Sequence, residues 1–229
     1  MISCVMPTAD RAPFVRLALR AFAAQTFPDR ELIVVDDGER PVRRLCLDVP
    51  GVRYIRLKEY TPTGAKLNIG IEAARGDFIQ KIDDDDYYAP RFLASQAGHM
   101  PTRGFTRTLV VNCCFLILLR GSGAVHHSGH GWQPGGTLYF HKSMWKRNPF
   151  REIRRSSDSS FIADNNPRIV RICDPERYLL VRHGANTWNL VTTGDADEYL
   201  SKRPEYGKML EDLVPPANLR YYRRTLGCR

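Results

Sequence analysis

Four consecutive aspartates, Asp83-Asp84-Asp85-Asp86, constrain this chain more than any other stretch. The residues leading in, Phe78-Ile79-Gln80-Lys81-Ile82, read as a short buried strand, and Pro90 reads as a turn or the first position of a helix. The carboxylates therefore fall at the carboxyl end of a strand, where open α/β sheets seat their ligands. Adjacent carboxylates repel one another and burying them without compensation is costly, so a positive partner is expected beside them. A hard divalent cation with oxygen ligands fits that need. The alternating ligands, Gly and Glu of an EF-hand loop are absent, whereas Mg²⁺ or Mn²⁺ commonly uses one or two carboxylates together with substrate phosphate oxygens. A solvated acidic turn is the plainer alternative.

Upstream, strand and helix patterns alternate. Residues 2–6 read as a first strand, and residues 13–25 as a helix with Phe14, Val15, Leu17, Ala18, Ala21 and Phe22 at helical spacing. Residues 31–35 read as a second, fully buried strand that runs into the turn signal Asp36-Asp37-Gly38. A short helix over 41–47, a third strand over 52–57 and an amphipathic helix over 64–75, stopped by Gly76, complete the lead-in. This order predicts an α/β fold, with a Rossmann-like mixed and mainly parallel sheet flanked by helices in a single domain. Neither G-x-G-x-x-G nor G-x-x-x-x-G-K-[ST] occurs in the first half, which disfavours a dinucleotide-binding domain and excludes a P-loop hydrolase.

The first 90 or so positions resemble a family 2 glycosyltransferase of the GT-A fold. The matching residues are Val5-Met6-Pro7-Thr8 with Arg11, Gln25-Thr26-Phe27-Pro28, Glu31-Leu32-Ile33-Val34-Val35-Asp36-Asp37-Gly38 and Lys66-Leu67-Asn68-Ile69-Gly70. They continue through Ala73-Ala74-Arg75-Gly76-Asp77-Phe78-Ile79 to the four aspartates and Pro90. The resemblance implies that Pro7, Thr8 and Arg11 border the nucleoside, and that Asp37 or Asp36 accepts from the base. It further implies Asp83 or Asp84 on the ribose hydroxyls and Asp85 on the metal, with the register open by one residue, and Lys66 on the base or a phosphate.

Beyond Pro90 the expected elements are a helix over 91–100, a long strand or hairpin arm over 107–119, and a Gly- and His-rich flexible loop over 121–136. That loop holds His126, His127 and His130 without zinc-site spacing, and Trp132, which would stack on a sugar or anchor the loop. The stretch Ser156-Ser157-Asp158, opening an apolar helix, resembles the family's third motif and makes Asp158 the general base. Ser157 stands where Glu is frequent, and a simple helix N-cap is the alternative. Strands are expected over 168–173 and 177–181. Arg182-His183-Gly184-Ala185-Asn186-Thr187-Trp188 then resembles the late motif that brings a His to the metal or diphosphate, so His183 is a second metal ligand.

These readings divide the chain into a nucleotide-sugar half (1–100), an acceptor and catalytic half (101–194) and a helical basic tail (195–229). They predict a metal-dependent, inverting transferase that uses Mn²⁺ or Mg²⁺ to move a sugar from a nucleotide sugar, UDP-linked, to a glycan, lipid-linked or other hydroxyl acceptor. The net charge of +9 fits a phosphate-bearing partner. The mixture of Tyr, Leu and Arg near 220–226 suggests contact with an anionic membrane face. No apolar run reaches the length of a membrane span, and a strand-like start without a signal pattern points to the cytoplasm. The six cysteines lack metal-site spacing and are expected as buried thiols. The rival readings are a nucleotidylyltransferase of related fold, which would carry a Gly-rich basic loop after the first strand, and a basic nucleic-acid-binding domain, which the acidic strand ends oppose. A degenerate transferase that only binds nucleotide is the third.

Overall fold

The strand that leads into Asp83 lies in the middle of the main sheet. The computed structural model describes residues 1–188, 190–191 and 194–228. Its first half runs β1 (Ile2–Thr8), α1 (Ala12–Ala23), β2 (Arg30–Asp36), α2 (Arg43–Leu47), β3 (Val52–Arg56), α3 (Thr63–Ala73), β4 (Phe78–Lys81), β5 (Tyr87–Tyr88) and α4 (Phe92–His99). The second half continues with β6 (Thr108–Asn112), β7 (Leu116–Leu119), β8 (Val125–His127), β9 (Tyr139–His141), α5 (Lys142–Arg147), α6 (Ser157–Asn165), β10 (Arg168–Ile172), β11 (Tyr178–Arg182), α7 (Ala196–Ser201) and α8 (Pro216–Leu226).

Seven strands form the main sheet in the order β10-β6-β9-β4-β1-β2-β3. All its pairings are parallel except those of β9, which runs antiparallel to both β4 and β6. The apolar run of β2 is continuous because both faces of the sheet are covered. Leu32 and Val34 join Cys4, Met6 and α1 residues in one core, while Ile33 and Val35 join Val5, Leu67 and Ile71 in the other. Close packing of α3 depends on Gly70, where an added Cβ would overlap the Val5 side chain and crowd Val35.

Chain order reverses on either side of β1, which pairs with β2 on one side and β4 on the other. The loops after β1, β2 and β4 therefore meet around a crevice at one rim. The expected architecture and the strands and helices expected over residues 1–100 are all present.

Two expectations for the later chain are corrected. Residues 107–119 do not make one long strand, because the chain breaks after Asn112. β6 stays in the main sheet, and β7 enters a second, four-stranded sheet of order β5-β11-β7-β8. The His-rich segment is not wholly loop, since β8 pairs with β7.

The expectation of thiols throughout is corrected as well. Cys114 and Cys173 are disulfide-bonded, with Cα atoms 5.2 Å apart, whereas Cys4, Cys46, Cys113 and Cys228 are free and buried. Parallel pairing of β6 with β10 sets Asn112 opposite Ile172, so the residues just past each strand meet despite a separation of 59 positions.

The expected basic tail is partly core. Tyr222 and Leu226 of α8 are buried with Leu116, Leu118 and Val181, leaving Arg220, Arg223 and Arg224 outside; Arg229 lies outside the described residues. Among the described residues no helix is long and apolar enough to cross a membrane.

Candidate active site

The crevice opens into a cleft of about 510 Å³, within the range of small-molecule sites. One wall carries Pro7 and Thr8 from the end of β1 with Arg11 from the loop after it, Asp37 from just past β2, and Lys66 from α3. Lys66 is buried, not an exposed helix lysine. Its Nζ donates to Asp37 Oδ1 at 2.7 Å and to the Thr8 carbonyl at 3.1 Å, tying two of the converging loops together. Asp37 Oδ2 accepts from the Thr61 N–H at 2.8 Å.

Asp36 is not brought to the cleft. Its side chain is fully buried and accepts from the Gly38 and Val42 backbone N–H groups and from the Tyr54 hydroxyl at 2.7 Å. Strand alternation turns neighbouring side chains to opposite faces, so only one of the two aspartates can face the ligand. Asp36 shapes the turn, and Asp37 lines the site.

The four central aspartates divide similarly. Asp84 accepts from the Thr8 hydroxyl at 2.5 Å and from Arg11 at 2.9 Å. Burial and the neighbouring charge of Asp85 push it up to about 6, against the opposing pull of Arg11 and Thr8. Asp85 Oδ2 accepts from Arg11 at 2.8 Å and lies 2.9 Å from His183 Nε2. Burial works against its charge, but the His183 hydrogen bond and Arg11 outweigh it and hold Asp85 below its ordinary value. His183 stacks on Phe14, with ring centroids 4.5 Å apart, and reaches Asp85 without lining the cleft. Asp86 is a fold residue at the cleft floor, accepting from the Tyr178 hydroxyl at 2.5 Å and the Val181 N–H at 2.9 Å. Burial, with Asp85 and Asp83 nearby, raises it well above the ordinary range.

Asp83 and Asp158 face a cation that sequence reasoning did not single out. Lys81 Nζ donates to Asp83 Oδ1 at 2.7 Å and lies 3.4 Å from Asp158 Oδ2. Burial opposes the charge on Lys81, but the two carboxylates more than restore it and raise its pKa. A lysine closing a short buried strand, two residues before an aspartate run, is the signal that could have revealed it.

Asp158 sits in the first turn of α6, next to Gly135-Gly136. A Cβ on Gly135 would overlap Asp158 Oδ2, and one on Gly136 would come within 2.8 Å of Asp83 Oδ2. Asp158 Oδ1 is buried and has no hydrogen-bond partner among the described residues. A carboxylate oxygen left without a donor is costly unless a ligand supplies one.

Trp132 anchors its loop instead of lining the cleft. Its indole N–H donates to the Ser128 carbonyl, and its ring meets Phe115 and Trp188 edge-on. The exposed aromatics on the cleft wall are Tyr60 and Trp188, and Arg154, Arg155 and Arg182 also line it.

With this geometry in place, likeness to known proteins becomes informative. The family described as glycosyl transferase family 2 matches residues 3–110. The match takes in just under half of the chain and includes Asp37 and Asp83 to Asp86. An uncharacterized glycosyltransferase of Bacillus subtilis, YwdF, is 33% identical over 110 residues, which is 47% of this chain and 41% of the relative. A putative colanic acid biosynthesis glycosyl transferase of Escherichia coli, WcaA, is 31% identical over 104 residues, 43% of this chain and 37% of its own.

Among solved structures, residues 1–349 of S. aureus TarS in complex with UDP-GlcNAc align with a TM-score of 0.63 at 19% identity, covering 81% of this chain and 60% of that one. The mannosyltransferase PcManGT of Pyrobaculum calidifontis, in complex with GDP-Man and Mn²⁺, aligns at 0.62 and 18% identity, covering 79% and 56%. The fold of this chain is GT-A, as expected. It spans less than half the length of the two curated relatives described and about 60% of the solved ones.

Proposed function

We propose that this chain is the catalytic unit of a glycosyltransferase that moves a sugar from a nucleotide sugar to an acceptor hydroxyl with inversion at the anomeric carbon. The observation that carries the reading is convergence within one cleft: a paired Asp84–Asp85–Arg11 cluster on one wall and the partly unpartnered Asp158 on the other. Pro7, Thr8 and Asp37 border the nucleoside, with Lys66 holding Asp37 in position to accept from the base. Asp83 and Asp84 face the ribose hydroxyls. Asp158 takes the acceptor proton as the oxygen approaches the face of the sugar opposite the diphosphate. Lys81 keeps the Asp158 side chain in place while that proton moves, and positioning supplies much of the rate because an aspartate is a weak base.

Asp85 and His183 fit a divalent cation. Two ligand atoms at about 2.1 Å in neighbouring octahedral positions lie about 3 Å apart, and Asp85 Oδ2 and His183 Nε2 are 2.9 Å apart. Mn²⁺ or Mg²⁺ held there would supply charge neutralisation for the departing nucleoside diphosphate. One observation favours a second reading in which donor binding needs no cation: the same Asp85 oxygen already accepts from Arg11.

UDP is the proposed nucleotide, and glycans, lipid-linked sugars or other hydroxyl compounds are the proposed acceptors. UDP-GlcNAc in TarS and GDP-Man in PcManGT bracket the donors to test. Contact with an anionic membrane face would rest on Arg220, Arg223 and Arg224.

Calorimetric titration of UDP, GDP and dTDP, each with Mn²⁺ and again with EDTA, tests the reading on wild type and Asp85→Ala. Binding of one nucleotide with Mn²⁺ only, lost in Asp85→Ala, supports the metal-dependent form. Binding that survives EDTA supports the Arg11 form, and binding of none sinks the transferase.

A further inference from the structure

A second cluster of chemistry-bearing side chains lies apart from the aspartates, past the ends of β6 and β10. The Sγ atoms of Cys113, Cys114 and Cys173 all lie within 4.8 Å of one another. His130 Nδ1 stands 3.1 Å from Cys173 Sγ. Three sulfurs and one imidazole nitrogen are the donor set of a structural zinc site, in which Zn–S near 2.3 Å and Zn–N near 2.0–2.1 Å set neighbouring ligand atoms about 3.5–3.8 Å apart. We propose that the reduced chain holds Zn²⁺ on Cys113, Cys114, Cys173 and His130.

The architecture supplies the ligands from three separate segments, which is why no C-x-x-C spacing announces them. Parallel pairing of β6 and β10 delivers the cysteines side by side, with the Cys113 N–H donating to the Ile172 carbonyl at 2.8 Å. The loop carrying His130 folds back over them, with the Trp132 N–H donating to the Cys113 carbonyl at 3.1 Å. Soft thiolates with imidazole select zinc, whereas the oxygen-rich aspartate cleft suits Mg²⁺ or Mn²⁺, so the two sites would not compete for one ion.

Cys114 and Cys173 are joined in the structure, and loading requires them as thiols. A phosphine reductant and one water convert the disulfide into two thiols and the phosphine oxide. Zn²⁺ then displaces three thiol protons, and His130 binds neutral. The ion would tie the loop after β8 to the sheet, and with it the stretch that leads into Gly135-Gly136.

The test uses the whole chain, reduced by a phosphine and titrated with Co²⁺ and, separately, Zn²⁺. Expected are about one equivalent bound per chain, a thiolate-to-cobalt charge-transfer band with intense visible bands of a tetrahedral centre, and displacement of that spectrum by Zn²⁺. Cys173→Ser should abolish the charge-transfer spectrum at stoichiometric metal, and His130→Ala should weaken binding at least about tenfold. Asp85→Asn and Cys228→Ser should leave the spectrum unchanged. Amide exchange across residues 128–136 should slow when Zn²⁺ is added to the reduced wild type.

Cys173 and His130 are exposed, so these variants decide the matter even if a change at buried Cys113 prevents folding. Binding below about a tenth of an equivalent, a cobalt spectrum unaffected by Cys173→Ser, or a disulfide that survives the phosphine would each overturn the proposal. None of these readouts depends on sugar transfer.

Discussion

Lys81, at the end of β4, holds its ammonium 3.4 Å from Asp158 Oδ2, in the first turn of α6. The lysine side chain is 4% exposed and also meets Asp83 at 2.7 Å, so it is the cation around which two cleft carboxylates are arranged. Replacing it with Met leaves both carboxylates near apolar walls without compensation. Because each carboxylate is about a third exposed, water offsets part of the cost, and Lys81→Met should lower unfolding stability by about 1–3 kcal/mol. Urea denaturation measures this, and a loss below about 0.5 kcal/mol would show that Lys81 is not their structural counter-ion.

Asp158→Asn keeps the shape of the side chain and removes its basicity. Turnover should fall by about 10²–10⁴-fold while nucleotide affinity stays within about twofold. Steady-state kinetics beside calorimetry separates the two, and unchanged turnover would assign the general base elsewhere.

Gly135→Ala tests the contact from the other side. The added Cβ overlaps Asp158 Oδ2 and must push either the carboxylate or the loop aside. A displacement near 1 Å can cost about 10²-fold in rate, with Pro7, Thr8 and Asp37 untouched. Lower turnover with intact nucleotide binding is the expected pattern; lost binding would show instead that the donor wall moves with this loop.

Adjacent aspartates at the end of β2 should behave differently. Asp36→Ala strands two buried backbone N–H groups and the Tyr54 hydroxyl, and should cost about 2–4 kcal/mol of stability. Asp37→Asn, which keeps an acceptor for the buried Lys66 ammonium, should weaken nucleotide binding more than stability. Thermal unfolding and nucleotide titration on the pair check the division of labour, and equal stability losses would refute it.

Asp84 gives the ligand-free protein a pH dependence of known sign. Its folded value, near 6, lies above that of an unfolded aspartate, so the folded chain binds more protons between the two values. Stability from this group is complete below the unfolded value and declines as pH rises towards and through 6. Asp84→Asn cannot ionise, so its melting temperature relative to wild type should be more favourable at pH 7 than at pH 5. The opposite trend would place the raised proton on another group.

The donor half was legible because apolar strand runs end abruptly in acidic turns, and those turns converge wherever a parallel sheet reverses its chain order. Asp36 and Asp37 could not be separated by pattern, since the direction of each side chain at a strand end depends on local backbone geometry. Residues 107–119 misled because an apolar run carries no mark of where it leaves one sheet for another; the break around Cys113-Cys114 becomes visible only through the partners of β6 and β7. Lys81 was hidden inside a strand pattern, and the meeting of His130 with Cys173, beside Cys113 and Cys114, was hidden by distance along the chain.

The reversed direction of β9 has a consequence for diversification. Antiparallel to β4 and β6, it presents its beginning, not its end, at the rim where the parallel strands finish. The connection arriving from β8 is therefore deposited beside Asp158 without interrupting either hydrogen-bond ladder. Lengthening or exchanging that connection would remodel the Asp158 wall of the cleft while the Asp37 wall keeps its register. On the proposed reading, the fold offers an exchangeable cassette for acceptor choice beside a fixed donor platform.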